Sequence, residues 1–181
     1  MTMVSIIIPT FNEEKTLKKI VEKTLENKKY NLEIIIIDDG STDGTKEIIN
    51  KNFLNNSKVK IIFNKKNYGK GYSVNEGVKI ASGDIVLIQD ADLEYNPSEH
   101  YRLIDPIANN FADVVYGSRF VGNDPHRVIY FLNRIANSFL TMLTNILTNL
   151  NLTDMETGFK AIKKIHLSEL NIQEHGFGIE P

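Results

Sequence analysis

The chain contains no cysteine, so neither a disulfide framework nor a thiolate metal site is open to it. That fits a reducing compartment such as the cytoplasm. No segment offers the roughly 18 uninterrupted apolar residues that a membrane-spanning helix needs. A secretory leader is not expected either. The apolar run Val4 to Ile8 is too short, and Glu13 and Glu14 follow soon after it. Neither sign of charge dominates: 21 Lys and Arg face 23 Asp and Glu, for a net charge of -2. The basic residues are spread along the chain, which argues against nucleic acid as a partner. No Walker A sequence occurs, and there is no internal repeat, low-complexity tract or linker. The histidines, His100, His126, His166 and His175, show no metal-ligand spacing and are expected to be solvated.

What is present is ordinary globular material: 181 residues, 41% apolar and 24% charged, enough for one domain with a real core. Short apolar runs alternate with helical stripes. Val4 to Pro9, Leu32 to Ile37, Val59 to Phe63, Ile85 to Gln89 and Val114 to Tyr116 read as strands. Between them, Leu17, Ile20, Val21 and Leu25 share a helical face, with Asn12 as the candidate cap. A second helix carries Ile48, Ile49 and Phe53; a third carries Val74, Gly77, Val78 and Ala81; a fourth is expected over 98–109. This β-α alternation predicts an α/β fold: a mostly parallel sheet with helices on both faces.

Three strand ends converge on one edge of such a sheet. They are Pro9-Thr10-Phe11-Asn12-Glu13, Asp38-Asp39-Gly40-Ser41 and Asp90-Ala91-Asp92. Ligands of open α/β sheets bind outside the carboxyl ends of the strands. Two acids one residue apart, Asp90 and Asp92, could face one hard cation that shares its shell with substrate phosphates. The plain alternative is two solvated acids capping the next helix. Phe11 could stack on a base and Asp39 could accept hydrogen bonds from a nucleoside. Taken alone, Phe11 reads first as a core residue, and the Asp39 block is rich in turn and cap residues, a structural role that does not compete with the functional one. The Asn67-Tyr68-Gly69-Lys70-Gly71 stretch could admit phosphate at a helix start. It is not the dinucleotide fingerprint, because Gly77 comes too late. Arg119 and Arg134 have the planar fork that suits phosphate. Asp154 and Glu156, in a loop, could act as general base, orienting acid or caps.

From Val128 to Leu150, Leu132, Ile135, Phe139, Met142, Ile146 and Leu150 share one stripe, and Asn137, Thr141, Thr144 and Thr148 another. The expected explanation is a helix whose apolar side packs on the sheet. The alternative is a surface resting on a membrane, although its polar face is neutral except for Arg134.

Taken together and in order, Ser5-Ile-Ile-Ile-Pro-Thr-Phe-Asn-Glu-Glu14, Asp38-Asp39-Gly-Ser-Thr-Asp-Gly-Thr45, Asn67-x-Gly-x-Gly71, Asp90-Ala-Asp92 and Gly117-Ser-Arg119 resemble the family 2 glycosyltransferases. That family has the GT-A fold, a Rossmann-like α/β architecture. Gln89-Asp-Ala-Asp-Leu-Glu-Tyr95 and Leu152-Thr-Asp-Met-Glu-Thr-Gly-Phe159 resemble the polyprenyl-phosphate, or dolichyl-phosphate, sugar synthases most closely. The resemblance spans the chain as a single domain, residues 1–181. It implies an inverting, metal-dependent transfer of a hexose from a UDP- or GDP-linked donor to a polyprenyl phosphate, on the cytoplasmic side of a membrane. It implies that Pro9, Phe11, Glu13, Ile37, Asp39, Asp90, Ala91 and Asp92 hold the donor. Asp92, with Glu94, would ligate Mg²⁺ or Mn²⁺. Arg119 and Arg134 would receive the lipid phosphate. An acceptor that is already an anion needs no strong base, which weakens that role for Asp154 and Glu156. Such relatives continue past a position like Pro181 with basic residues that close over the diphosphate, so weak transfer by this length of chain is expected.

Two other readings stand beside it. A haloacid-dehalogenase-type phosphatase also places two acids one residue apart after a strand. Its motif wants Thr or Val where this chain has Glu94, and it lies early in a chain, not at residue 90. A nucleotide-binding module without turnover is the other.

Overall fold

The computed structural model describes residues 2–121 and 130–169. His126, His175, the start of the amphipathic stretch at Val128 and the end at Phe177 to Pro181 lie outside the described residues. The strands are β1 (Met3–Thr10), β2 (Asn31–Asp38), β3 (Val59–Phe63), β4 (Ile85–Ile88), β5 (Val114–Tyr116) and β6 (Lys160–Lys163). The helices are α1 (Leu17–Leu25), α2 (Thr45–Asn52), α3 (Lys70–Ile80), α4 (His100–Ala108), α5 (Phe131–Thr148) and α6 (Lys164–Glu169), with a 3₁₀ turn at Pro97–Glu99 before α4.

β1 and β2 carry continuous isoleucine runs because both of their faces are covered, as in parallel sheets generally. Successive residues point to opposite sides. Ile6, Ile8, Ile34 and Ile36 join one core with Leu17, Ile20 and Val21 of α1, Ile49 of α2 and Ile104 of α4. Ile7, Ile35 and Ile37 join the other with Val74 and Val78 of α3 and Leu167 of α6. Helices therefore cover both faces, as the β-α alternation predicts. Gly77 lets α3 settle on the sheet. A Cβ there would lie 2.8 Å from Ile7 Cγ2 and 3.0 Å from Ile37 Cδ1.

The sheet order is β3-β2-β1-β4-β6-β5. β1 pairs in parallel with β2 and β4, and β2 with β3. The order reverses at β1, so the ends of β1, β2 and β4 share one edge at a topological switch point. β6, like α6 directly after it, is an element the sequence did not announce. It runs antiparallel between β4 and β5. Its sequence, Lys-Ala-Ile-Lys, carries too little apolar pattern to read as a strand. Its buried Lys160 is accommodated with Nζ 4.6 Å from the centre of the Tyr116 ring.

Three expectations need correction. Asn12 does not cap α1, which begins at Leu17 behind Thr16. Asn12 instead takes a left-handed backbone, φ 58°, and its Oδ1 accepts from the Thr42 amide at 2.8 Å. His100 is not solvated: it is fully buried, with Nε2 2.8 Å from Gln89 Oε1.

The third correction is α5, which does not lay its apolar stripe on the sheet. Its buried residues are polar, Asn137 and Thr141. Asn145 exchanges both backbone bonds with Leu152 at 2.8 Å, and the Met155 amide donates to Thr141 Oγ1 at 3.2 Å. The segment 152–155 needed hydrogen-bonding partners, and the Asn and Thr stripe supplied them. Phe131, Leu132, Phe139, Ile146 and Leu147 are left exposed.

Candidate active site

At the switch point lies a cavity of about 590 Å³, lined by Pro9, Phe11, Glu13, Asp39, Lys70, Asp90, Ala91, Asp92, Glu94, Tyr95, Arg119 and Glu156 among others. Two loops frame one side of it and are laced together. The Asn12 amide donates to Ser41 Oγ at 2.9 Å, the Glu13 amide to Thr45 Oγ1 at 2.8 Å, and the Gly44 amide to Glu14 Oε2 at 2.9 Å. Phe11 stands half-exposed at the rim. Asp39 is buried, and its carboxylate accepts from Asn64 Nδ2 at 2.7 Å and from the amides of Tyr68 and Gly69 at 3.0 and 2.7 Å. Those amides of the Asn67–Gly71 stretch thus hold a carboxylate belonging to the protein. Gly69 has φ 98°, a left-handed value glycine adopts without strain. Ile37 is fully buried beneath α3 and does not line the cavity.

β4 delivers the acidic loop. Asp90 pairs with Lys70 Nζ at 2.7 Å. Asp92 is exposed, and its Oδ1 accepts from the Glu94 amide at 2.9 Å, which fixes the carboxylate's direction. Leu93, between them, has φ 67°. Among the described residues, no three acidic or histidine side chains converge closely enough to hold a cation alone. A Mg²⁺ or Mn²⁺ that takes one or two carboxylates and fills its shell with substrate phosphate oxygens and water suits the pair Asp92 and Glu94.

Across the cavity, Arg119 is clamped by Asp154. Its Nε and Nη2 donate to the carboxylate at 2.7 and 2.8 Å, and its own amide donates at 3.0 Å. Asn137 Nδ2 adds a fourth donor at 3.0 Å. Burial alone would raise the Asp154 carboxyl, but the Arg119 side chain and amide outweigh it and hold it below the usual carboxylate range. The same pairing raises the Arg119 guanidinium above its ordinary value. Asp154 is 1% exposed, outside the cavity and behind Arg119. Glu156 faces the cavity. Arg134 is exposed on α5, and it and Arg119 both approach the Phe120 ring, at 5.5 and 5.6 Å.

The sequence alone singled out neither Lys70 as the partner of Asp90 nor Tyr95 and Ser73 as lining residues. Ser73 Oγ is buried without a hydrogen-bond partner beside Lys70 on the first turn of α3. Lys70 and Ser73 three residues apart on one helix start were the available signal.

The family model for glycosyl transferase family 2 matches residues 5–170. A UDP-N-acetylglucosamine–dolichyl-phosphate N-acetylglucosaminyltransferase of Methanococcus voltae is 33% identical, over 94% of this chain and 73% of that protein. A dolichol-phosphate mannosyltransferase of Pyrococcus furiosus is 32% identical, over 97% of this chain and 50% of that one. Among solved structures, glucosyl-3-phosphoglycerate synthase of Mycobacterium tuberculosis, in complex with Mn²⁺, UDP and phosphoglyceric acid, superposes with a TM-score of 0.75 at 21% identity. That match covers 99% of this chain and 61% of the other. The fold is GT-A, and the phosphatase reading falls with it. The chain belongs to glycosyl transferase family 2.

Proposed function

We propose that this protein transfers a hexose from a nucleotide-sugar, UDP- or GDP-linked, to the phosphate of a polyprenyl lipid, with inversion at the anomeric carbon. The observation that carries the reading is one cavity that joins Phe11, Lys70 and the Asp90–Glu94 loop on one side to Arg119 on the other. The first group suits a nucleoside diphosphate: an aromatic rim for the base, and cation-binding acids for the pyrophosphate. Pro9, Glu13 and Ala91 shape the same half, and Asp39 anchors its floor. A divalent cation on Asp92 and Glu94 would stabilise the leaving diphosphate. Arg119, fixed in direction by Asp154, suits an anionic acceptor. An acceptor phosphate oxygen then forms the bond to the anomeric carbon as the bond to the diphosphate oxygen breaks. No proton needs to leave the acceptor, so Asp154 serves as an orienting acid and Glu156 is left to bind or orient.

The relatives' printed names, dolichyl-phosphate and dolichol-phosphate transferases, support a lipid acceptor. The outward apolar side of α5 supports contact with the membrane that holds such a lipid. No helix among the described residues is long and apolar enough to cross a membrane. α5, at 18 residues, is about 27 Å long and suits lying in the interface.

Calorimetric titration of UDP and GDP with and without Mn²⁺ tests the donor half, with Asp92→Asn as the control that loses the metal-dependent gain. The matching nucleotide-sugar with a short-chain polyprenyl phosphate then tests transfer, and the anomer of the product reads the stereochemistry. In the double variant Arg119→Ala, Arg134→Ala, acceptor KM rises while nucleotide affinity holds. Binding of neither nucleotide, or sugar released only to water, overturns the proposal.

A further inference from the structure

Gln89 and His100 are both fully buried, and the transfer chemistry uses neither. Gln89 directly follows β4. Its Nε2 donates to the carbonyl oxygens of Asp90 at 2.9 Å and Tyr95 at 3.3 Å. Those carbonyls are the two ends of the loop that carries Asp92 and Glu94. The amide's other end, Oε1, can only accept, so the His100 nitrogen 2.8 Å away donates to it. The His100 proton is therefore on Nε2, which leaves Nδ1 bare, and Nδ1 is buried without a partner.

Such an orphaned buried atom is a cost to the fold. An apolar residue in the same place would avoid that cost, and what the imidazole gains in return is its bond to Gln89. The ring also lies 5.7 Å from Phe159, which stacks on Tyr95 at 5.0 Å. His100 thus reaches Tyr95, the far end of the loop, both through the amide and through the aromatic stack. The loop needs such support. Leu93 holds a left-handed backbone at φ 67°, a conformation unfavourable for an L-residue that persists only where the surroundings over-determine it.

We propose that Gln89 and His100 are positioning residues that set the geometry of the Asp90–Tyr95 loop, and through it the fit of Asp92 and Glu94 to the donor diphosphate and its cation. This rests on the assignment of that loop to the donor. Burial holds His100 neutral, pushed down to about 4, so the donating tautomer persists near neutral pH. Outer residues that orient metal ligands are typically worth 10–100-fold in metal affinity.

The test uses the whole chain with UDP or GDP, whichever binds, titrated with and without Mn²⁺. The variants are Gln89→Met, which removes both donors at similar volume, His100→Phe, which keeps the ring stack, and His100→Gln, which restores an amide donor. Asp92→Asn is run beside them, and melting is followed for each. Gln89→Met and His100→Phe are expected to lose about tenfold or more of the Mn²⁺-dependent affinity. Affinity without metal stays within about twofold, and His100→Gln recovers part of the loss. An intact Mn²⁺ gain in both variants, with Asp92→Asn impaired, overturns the positioning role alone. An intact gain in Asp92→Asn overturns the donor-site reading instead. An equal loss of affinity with and without metal, or loss of cooperative melting in every variant, assigns the pair to fold stability and overturns the proposal.

Discussion

Asn137 Nδ2 donates to Asp154 Oδ1 at 3.0 Å, so a polar residue of α5 is buried against the protein while the apolar residues of the same helix face outward. The bond places α5 directly behind the Arg119 clamp. The helix that offers an apolar surface is thereby linked, through Asp154 and two successive hydrogen bonds, to the guanidinium proposed to receive the acceptor phosphate.

Removing Asp154 leaves Arg119 partly buried without its counter-ion. Breaking a buried pair from one side typically costs about 3–5 kcal/mol. Asp154→Ala is therefore expected to shift the urea midpoint strongly downward. Asp154→Asn, which keeps the shape and one acceptor oxygen, should lose less and raise acceptor KM more than donor KM. A midpoint unchanged in Asp154→Ala would show that the clamp carries no stability.

Ile146 and Leu147 are 70% and 76% exposed. Exposed substitutions usually stay within about 0.5 kcal/mol, so the double change to Asp should leave melting nearly unmoved. It should nonetheless abolish co-sedimentation with phosphatidylcholine vesicles containing an anionic lipid. Retained vesicle binding would place the membrane contact elsewhere.

The buried His100 gives the fold a pH signature. The unfolded chain takes up its proton near 6.5, while burial delays that step in the folded chain to about 4. Between those values the unfolded state binds more protons, so stability falls as pH falls through the window and is fully present above it. The span is worth on the order of 3 kcal/mol. Burial alone would raise Glu33, but Lys60 at 2.8 Å and the bonds from Ser5 and Ser82 outweigh it and hold it down to about 2. Its own loss of stability therefore begins only as pH falls through 4.5, at the low end of that window. Denaturant titrations from pH 7 to pH 4 should show this loss, and His100→Phe should flatten it. An equal slope in the variant would assign the acid sensitivity to other groups.

Gly77→Ala tests the seating of α3. Alanine is the better helix former by about 1 kcal/mol, yet its Cβ would meet Ile7 and Ile37. Overpacking of this kind costs about 1–3 kcal/mol, so the net effect should be a lowered melting temperature. A rise would mean that the two isoleucines yield freely.

The sequence by itself determined the sheet's centre and its working edge. The Ile runs of β1 and β2 and the stripes of α1 and α3 are local patterns with a single economical burial, and the parallel alternation puts Pro9, Asp39 and Asp90 at one edge. The ordered motifs were as local, and they indicated the family. What depended on contacts between distant residues was decided by tertiary structure alone. β6 becomes a strand only because β4 and β5 leave a slot between them. Asp154 becomes the counter-ion of Arg119 only when two loops 35 residues apart meet. His100 looks like any surface histidine until Gln89 is buried beside it. The pattern of α5 announced two faces but not which would turn inward. Apolar burial ordinarily settles that, and here the hydrogen-bonding demand of segment 152–155 settled it the other way.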